Sequence, residues 1–339
     1  MTPPSDSAPP GISRNRLMTA LSYDRYGPPE VVQVKRVPIP DHGPGEVLVR
    51  VRASAVNTGD WRIRAAAFPG ILALVGRLIY GLTAPRNPLL GSEFAGEVQS
   101  VGSQVTRFKP GDRVYGLVTT GGASAQFLAV PETDAIAAIP TTLDYEEAAT
   151  LPFGGLCALS FLSDFAHLSQ GQRLLVVGAS GGVGCYAVQI GKALGSHVTG
   201  VAGPDSQGFV AGLGADATID YRASPLSQWP QDFDVILDTI GTLTPKDARQ
   251  LLRKNGLFLP LNFGLGEIGA ALLNPFLNKK TRLAVNKDTP EGLAQLSSLV
   301  QSGQLRPVID SRFPLARAEL AHAKVETRHR QGSIVLIVD

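Results

Sequence analysis

A run of apolar residues that leads straight into a cluster of glycines most constrains how this chain folds. Residues 173–177 read Arg-Leu-Leu-Val-Val, and glycine occupies four of the next seven positions before an apolar helix pattern begins. A strand, a glycine turn and a helix N-terminus in this order are typical of a site for the pyrophosphate of a dinucleotide. Gly181 would let the backbone approach the pyrophosphate, and Gly184 would let the helix pack closely on the strand. We therefore predict a cofactor-binding turn formed by Ala179, Ser180, Gly181, Gly182, Val183 and Gly184.

Strand and helix patterns alternate on both sides of this turn, which is typical of a doubly wound parallel sheet. Predicted helices lie near 182–194, 206–213, 245–254 and 266–277. The predicted strands are 173–179, 197–202, 217–221, 233–240, 256–262 and 282–285.

The part before residue 143 has a different pattern. Short β-branched runs, such as EVLVRVRASAV and DRVYGLV, alternate between Gly and Pro turns, which predicts a compact and mostly antiparallel β domain. A last strand at 332–338 fits this first domain better than the second. We expect an α/β protein with four parts, namely a disordered tail (1–17), a β-rich domain (18–143), a nucleotide-binding domain (144–285) and the rest of the β-rich domain (286–339).

Composition limits the partners and the compartment. Lys and Arg number 31 against 29 Asp and Glu, and this net charge of +2 without a basic run argues against nucleic acid as a partner. Two cysteines make no disulfide framework, which favours the cytoplasm. The apolar segment 68–82 is too short to span a membrane and contains Arg77, so we expect no stable membrane insertion. It is read as a short helix or loop on the core, with a cover over a substrate pocket or a weak membrane contact as the alternatives.

The end of the second predicted strand bears on the choice of cofactor. An enzyme specific for NAD places a carboxylate there to bind the ribose 2'-hydroxyl, whereas residues 201–204 read Val-Ala-Gly-Pro. NADPH is therefore favoured over NADH. Asp205 lies slightly beyond and weakens this argument. Tyr221 and Arg222, at the end of the third strand, are the nearest candidates to bind a 2'-phosphate, or they are ordinary residues at a strand end.

Further motifs give the chain a family resemblance. GSEFAGEV at 91–98 and FKPGDRV at 108–114 precede GASGGVG, GADATIDY and FDVILDTIG. In this order the motifs resemble the medium-chain dehydrogenase/reductase superfamily, and most of all its zinc-independent quinone oxidoreductase branch. The resemblance runs from about Leu21 to the C-terminus. It implies a GroES-like catalytic domain, discontinuous in sequence, around a Rossmann nucleotide-binding domain.

The resemblance also makes a prediction about zinc. Zinc-dependent relatives place metal ligands at the positions that match Asn57, Ser92 and Phe153. A phenyl group cannot bind zinc, and a catalytic zinc needs three protein ligands. We therefore expect no bound metal.

The resemblance implies roles for several other residues. Asn57 would face the nicotinamide and donate to the developing oxyanion of the substrate, although an Asn before Thr58-Gly59 is also a typical turn cap. Asp60 and Tyr115 are further catalytic candidates, but Asp60 fits better as a loop anchor and Tyr115 as a packed aromatic residue. The remaining cofactor candidates lie at strand ends, where ligands bind in such a sheet, and they are Gly200, Ile240, Gly241, Leu261 and Asn262.

The expected activity is hydride transfer from NADPH to quinones or α,β-unsaturated carbonyls, because conjugation lets these substrates accept hydride without a metal. One alternative is the reduction of an enoyl thioester or another pathway-specific intermediate. The other is a redox sensor that binds NADPH with little turnover, since fold alone does not establish catalysis. The resemblance further implies a homodimer that pairs through an edge strand near Thr281 to Asn286.

Overall fold

A computed structural model describes residues 16–68 and 72–339 of the chain. In its described residues, the first half is rich in β structure and contains four α-helices. Its strands are β1 (Leu17–Ser22), β2 (Gln33–Pro38), β3 (Glu46–Val56), β4 (Glu93–Val101), β5 (Arg113–Leu117), β6 (Phe127–Pro131) and β7 (Ala135–Ala138). Its helices are α1 (Thr58–Ala65), α2 (Leu72–Tyr80), α3 (Tyr145–Ala149) and α4 (Leu151–Leu159).

The second half alternates strands and helices before it returns to the first. The alternating elements are β8 (Arg173–Val177), α5 (Gly184–Ala193), β9 (His197–Ala202), α6 (Gln207–Gly212), β10 (Ala217–Asp220), β11 (Phe233–Asp238), α7 (Pro245–Leu251), β12 (Leu252–Pro260), α8 (Leu265–Leu272) and β13 (Lys280–Thr281). The returning elements are α9 (Pro290–Gln301), β14 (Ile309–Pro314), α10 (Ala318–Glu326) and β15 (Ser333–Ile337).

Strands β8 to β13 form the predicted parallel sheet. Their spatial order is β10-β9-β8-β11-β12-β13, and every neighbouring pair is parallel. The chain winds from β8 through β9 to β10 and then crosses back to β11, so the order reverses between β8 and β11, beside the glycine turn that follows β8. In open α/β sheets ligands bind at such a switch point, outside the carboxyl ends of the strands.

The second sheet joins the two ends of the chain. Its order is β14-β15-β3-β4-β5-β7, and β6 also pairs with β3. Strand β15 pairs antiparallel with β3, which confirms that the C-terminal strand returns to the first domain. The N-terminal part is mostly antiparallel, as its alternating pattern predicts.

Helix α4 connects the two sheets. Eight of its nine residues are buried, as expected for a helix that is apolar on all sides. Gly154 lies against the glycine turn, because a Cβ added there would come within 2.2 Å of the Gly182 carbonyl oxygen. One apolar core therefore runs from the β domain through α4 into the parallel sheet.

Two sequence predictions need correction. The sixth strand is wrong, because β13 covers Lys280–Thr281, whereas 282–285 is not a strand and Val285 is 74% exposed. The predicted tail ends too late, because β1 begins at Leu17; the tail's residues 1–15 lie outside the described part of the chain. The segment 68–82 contains the short helix α2, and no described helix is long and apolar enough to cross a membrane.

Candidate active site

The glycine turn between β8 and α5 is built by close backbone contacts. Gly178 has φ +78°, a left-handed conformation that favours glycine, and its N–H donates to the Val201 carbonyl on β9. A Cβ at Gly184 would lie 2.0 Å from the Gly178 carbonyl oxygen, so only glycine lets α5 start this close to the strand. A Cβ at Gly181 would meet only that oxygen, at 3.4 Å. The face of the turn at Gly181 is therefore open, as an approaching pyrophosphate requires.

The turn after β11 lies beside this open face. The Asp238 carboxylate accepts four backbone hydrogen bonds at 2.8 to 3.0 Å, from Ile240, Gly241, Thr242 and Leu243. Gly241 has φ +75°, and a Cβ there would come within 2.9 Å of the Asn262 side chain, which follows β12. The structure thus brings the predicted residues at the ends of β8, β11 and β12 to one edge of the sheet.

Asn57 caps helix α1. Its Oδ1 accepts a hydrogen bond from the Asp60 N–H at 3.0 Å, and the Asp60 carboxylate accepts one from the Asn57 N–H at 2.9 Å. This reciprocal capping box fixes the side chain at the end of β3. The cap and the catalytic interpretation are compatible, because capping uses the oxygen of the amide and leaves its nitrogen to donate.

The amide nitrogen of Asn57 makes two hydrogen bonds. Nδ2 donates to Ser92 Oγ at 2.8 Å and to Glu93 Oε2 at 2.9 Å. Glu93 is buried, and its other carboxylate oxygen accepts from the Phe153 N–H at 2.8 Å. Asn57 is therefore held in a fixed orientation by its own helix and by Ser92 and Glu93, and α4 in turn holds Glu93.

Two cavities meet at Asn57. The larger, of about 510 Å³, is lined by polar residues, including Asn57, Asp60 and Ser92, and by apolar residues such as Ile79 and Leu90. The smaller, of about 10 Å³, lies between Asn57, Glu93 and the glycine turn at Gly182 and Val183. Asn57 and Phe153 line both cavities. A group bound at the glycine turn and a molecule in the larger cavity would thus meet at Asn57.

Comparisons with known proteins agree with this architecture. Residues 43–141 match the alcohol dehydrogenase GroES-like domain, and residues 213–336 match the family described as zinc-binding dehydrogenase. The chain is 31% identical to the mouse mitochondrial NAD(P)H oxidoreductase RTN4IP1, over 96% of this chain and 90% of the relative. It is 32% identical to a quinone oxidoreductase of Pseudomonas aeruginosa, over 94% of this chain and 98% of the relative.

The chain belongs to the medium-chain dehydrogenase/reductase superfamily. Solved structures place it in the quinone oxidoreductase branch. The quinone oxidoreductase of Coxiella burnetii matches with a TM-score of 0.85 and 27% identity, over 96% of this chain and 100% of that one. The Escherichia coli quinone oxidoreductase complexed with NADPH matches with a TM-score of 0.81 and 26% identity, over 94% of this chain and 100% of that one.

The three positions that would hold zinc in zinc-dependent members of this superfamily lie together here. Asn57 and Ser92 are hydrogen-bonded, and Phe153 lines the same cavity. An amide, a hydroxyl and a phenyl ring do not form a zinc site. Among the described residues, no group of three or more His, Cys, Asp and Glu is placed to hold a metal ion. These three side chains therefore do not supply the ligand set of a catalytic zinc.

Two predicted site residues have other roles in the structure. The Tyr115 hydroxyl is buried and donates to the Leu293 carbonyl on α9 at 2.9 Å, so Tyr115 packs against α9 and does not line the larger cavity. Gly200 is buried as well, and a Cβ there would come within 2.4 Å of Val210. Its small size lets α6 pack closely on β9.

The sequence did not indicate three arginines that lie at the cofactor edge, which is the edge of the parallel sheet where β8, β11 and β12 end. Arg62 of α1 donates to Asn262 Oδ1 at 2.5 Å, and Arg328 donates to the Ile240 carbonyl at 2.8 Å. Arg330 donates to Thr58 Oγ1 at 3.0 Å, and its guanidinium lies 3.4 Å from the position of a Cβ at Gly182. Burial lowers the pKa of Arg62, and the charge of Arg328 lowers it further. An anion bound among these cations would compensate their charge. The Arg-His-Arg run of 328–330 lies about 150 residues from the glycine turn in the chain. No local sequence pattern therefore indicated that these arginines lie beside the turn.

Two buried carboxyl groups make the stability of the site depend on pH. Burial raises the pKa of Glu93 to about 8 and that of Asp60 to about 6, against ordinary values of 4.5 and 3.8. Between the ordinary and the raised value, the folded protein keeps a proton that the unfolded chain has released. Stability contributed by these groups is therefore complete at low pH and is lost as pH rises to about 8.

We expect the melting temperature to fall from pH 5 to pH 8, with a loss of up to about 1.4 kcal/mol per pH unit for each group inside its window. Thermal unfolding of the wild type and of Glu93→Gln at matched pH values measures this. Glu93→Gln removes one titrating group and should flatten the slope. Equal slopes for the two proteins would contradict the assignment to Glu93.

Proposed function

We propose that this protein is an NADPH-dependent oxidoreductase that reduces quinones and other conjugated carbonyls. The observation that carries the proposal is the position of Asn57, which lines both the small cavity at the glycine turn and the large cavity beside it. The names of the relatives support the same reaction, because they include quinone oxidoreductases and an Escherichia coli protein complexed with NADPH.

The residues at the sheet edge fit a dinucleotide. The open face at Gly181 admits a pyrophosphate to the start of α5, where free N–H groups favour an anion. Arg328 and Arg330 add positive charge beside it, and Asn262 with Arg62 would orient the part of the cofactor nearest the substrate. Bound NADPH would supply the hydride. The protein positions the substrate, excludes water and stabilises the charge that develops.

We assign to Asn57 the role of stabilising that charge by a hydrogen bond. A quinone that accepts a hydride gains negative charge on an oxygen, and it becomes a hydroquinone once that oxygen takes a proton from water. The Nδ2 hydrogen that now points to Ser92 can donate to this oxygen, because Ser92 and Asn57 both line the large cavity. Glu93 holds the other hydrogen and so keeps the amide nitrogen oriented towards the cavity.

A titration with NADPH and NADH, followed by addition of a quinone and then an enone, tests the proposal. Oxidation of NADPH by the quinone is the expected result, and elemental analysis of the same sample should find no stoichiometric zinc. Tight binding of NADPH without turnover would overturn the enzyme assignment in favour of a sensor. Turnover with enoyl thioesters and not with quinones would favour the pathway-specific reductase.

We further propose a preference for NADPH over NADH, based on the end of β10. The Arg222 guanidinium lies 5.7 Å from the centre of the Tyr221 ring, and this ring lies 3.6 Å from the position of a Cβ at Gly203, directly after β9. We therefore assign Tyr221 and Arg222 as the donors to a 2'-phosphate, because they lie beside the residue that follows β9.

Arg222→Ala should raise the Kd for NADPH about tenfold and leave the Kd for NADH unchanged, because only NADPH has the phosphate that the guanidinium pairs with. Fluorescence titration with each cofactor measures both constants. An equal loss for both cofactors would show that Arg222 does not recognise the phosphate.

We propose a homodimer, although the interface differs from the expected one. Strand β13 ends at Thr281, so the predicted edge from Thr281 to Asn286 offers little backbone to pair. Several large apolar side chains near this edge are exposed, with Phe276 85% exposed. The others are Leu265, Leu272, Leu273 and Val285. We assign the contact to these side chains rather than to a continuous β ladder.

Light scattering at micromolar concentration should give twice the mass of the chain, and Phe276→Ser with Leu272→Ser should shift the protein towards the monomer. The matched control is Leu320→Ser, an exposed leucine on α10. A wild-type monomer, or the same shift in the control, would contradict the proposal.

For location we propose the cytoplasm, without a nucleic-acid partner. Cys157 and Cys185 are both free and buried, and burial raises the pKa of each thiol, so neither offers a reactive thiolate. Two unpaired cysteines suit a reducing compartment. Fractionation of the native cells would test this location, and recovery in an organelle would contradict it.

A further inference from the structure

Helix α2 presents an apolar face to the outside of the protein. Leu74, Leu78 and Leu82 recur every fourth residue in and just after the helix, and they are 62%, 51% and 57% exposed. Val75 and Ile79 widen the same face and are also exposed. A surface helix normally turns polar residues outward. We call these five side chains the α2 apolar face.

The opposite side of α2 is packed against the protein. The Phe68 ring stacks on the Tyr80 ring with the centroids 5.7 Å apart, and a Cβ at Gly76 would overlap Phe68 at 2.4 Å. Directly after the helix, the Tyr26 hydroxyl donates to the Gly81 carbonyl at 2.8 Å. The contacts on the inner side leave the α2 apolar face on the outside, without cover from the described residues.

The charged side chains in the segment that carries this face all have one sign. Residues 72–90 contain two charged side chains, Arg77 and Arg86, and no carboxylate. Arg77 donates to the Leu82 carbonyl at 2.9 Å, and Arg86 donates to the Ile79 carbonyl at 3.1 Å. Both guanidinium groups therefore lie at the border of the apolar face. Apolar side chains bordered by cations complement the surface of an anionic bilayer.

The α2 apolar face is continuous with the mouth of the large cavity. Ile79 belongs to the face and also lines the cavity, together with Tyr80 and Arg86. A molecule that leaves the cavity past Ile79 would thus pass directly over the α2 apolar face.

We propose that the α2 apolar face docks on an anionic lipid membrane, peripherally and without spanning it. The docked protein turns the mouth of the cavity towards the bilayer, so its substrates include quinones with a hydrocarbon chain that dissolves in the membrane. The second statement rests on the proposed quinone reduction, whereas the docking does not.

Flotation of the full-length protein with lipid vesicles tests the docking. The wild type should bind vesicles of phosphatidylcholine with phosphatidylglycerol, and it should bind pure phosphatidylcholine more weakly. Leu74→Glu with Leu78→Glu should lower the partition coefficient at least tenfold, since neither leucine lines the cavity. Arg77→Gln should weaken binding to the anionic vesicles about fivefold and leave neutral vesicles unaffected. Leu320→Glu, on exposed α10, is the matched control and should bind as the wild type does.

Turnover separates docking from catalysis. The double variant should reduce a water-soluble quinone at the wild-type rate and should lose at least fivefold in kcat/KM for a long-chain quinone held in vesicles. Absence of vesicle binding, or equal binding of wild type and double variant, would overturn the proposal. A change in oligomeric mass with the double variant would assign the face to a second copy of the chain and overturn it too. Failure of all quinone turnover would defeat the proposed function and leave the flotation result valid.

Discussion

Replacement of Asn57 by alanine is expected to lower kcat for quinone reduction about 100-fold and to leave the affinity for NADPH within about twofold. The physical reason is that Asn57 contributes the Nδ2 donor between the two cavities, and the loss of one donor to a developing oxyanion typically costs 10²- to 10³-fold in rate. Asn57 does not contact the open face at Gly181, so cofactor binding should persist. Steady-state kinetics with a water-soluble quinone and fluorescence titration with NADPH measure the two quantities.

Alanine also removes the cap of α1, so a second variant is needed to separate the two roles. Serine caps a helix about as well as asparagine but has no amide group to donate to both Ser92 and Glu93. Asn57→Ala should lose about 1 kcal/mol of stability, whereas Asn57→Ser should keep it. Both should lose activity to a similar extent. If Asn57→Ser retains wild-type kcat, the residue acts as a cap and not as a catalytic donor.

The second large effect is expected at the glycine turn. Gly181→Val should raise the Kd for NADPH about 100-fold and leave the folded structure intact. A Cβ at Gly181 meets only the Gly178 carbonyl oxygen, at 3.4 Å, so we expect the valine side chain to fill the space that a pyrophosphate needs and to leave the fold intact. Fluorescence titration gives the affinity, and circular dichroism with thermal unfolding gives the integrity of the fold.

The matched variant is Gly184→Val, three residues further along. Here the added Cβ would lie 2.0 Å from the Gly178 oxygen and 2.8 Å from the Ala179 Cα, so the helix must move away from the strand. We expect a loss of about 3 kcal/mol in stability. Loss of stability in Gly181→Val with normal cofactor affinity would reverse the roles that we assign to the two glycines.

Features set by residues that are close together in the chain could be predicted from the sequence, whereas features set by distant contacts could not. The strand, turn and helix at 173–193 follow from local rules, and the alternation of strands and helices predicts that the sheet is parallel. The misplaced sixth strand illustrates the limit. Residues 282–285 have a suitable apolar pattern, yet β13 is only Lys280–Thr281, at the edge, where one neighbouring strand sets its extent.

The candidate active site likewise contains a residue whose role the local sequence indicated and one whose role a distant contact decided. Asn57 was predicted both as a cap and as a donor, and its contacts with Asp60, Ser92 and Glu93 show how one amide can do both. Tyr115 shows the opposite outcome. Its place on a strand of the catalytic domain made it a candidate, but its hydroxyl lies against α9, an element almost 180 residues later in the chain.

The sequence by itself determined the family, the parallel nucleotide-binding domain and the glycine turn, because each rests on residues that are neighbours in the chain. The tertiary structure alone decided which groups surround the site. Arg62, Arg328 and Arg330 reach the cofactor edge from α1 and from the C-terminal segment, and α2 turns its leucines outward beside the cavity. Contacts of this kind join residues that are distant in the chain, and which side of a helix is covered depends on what the rest of the fold packs against it.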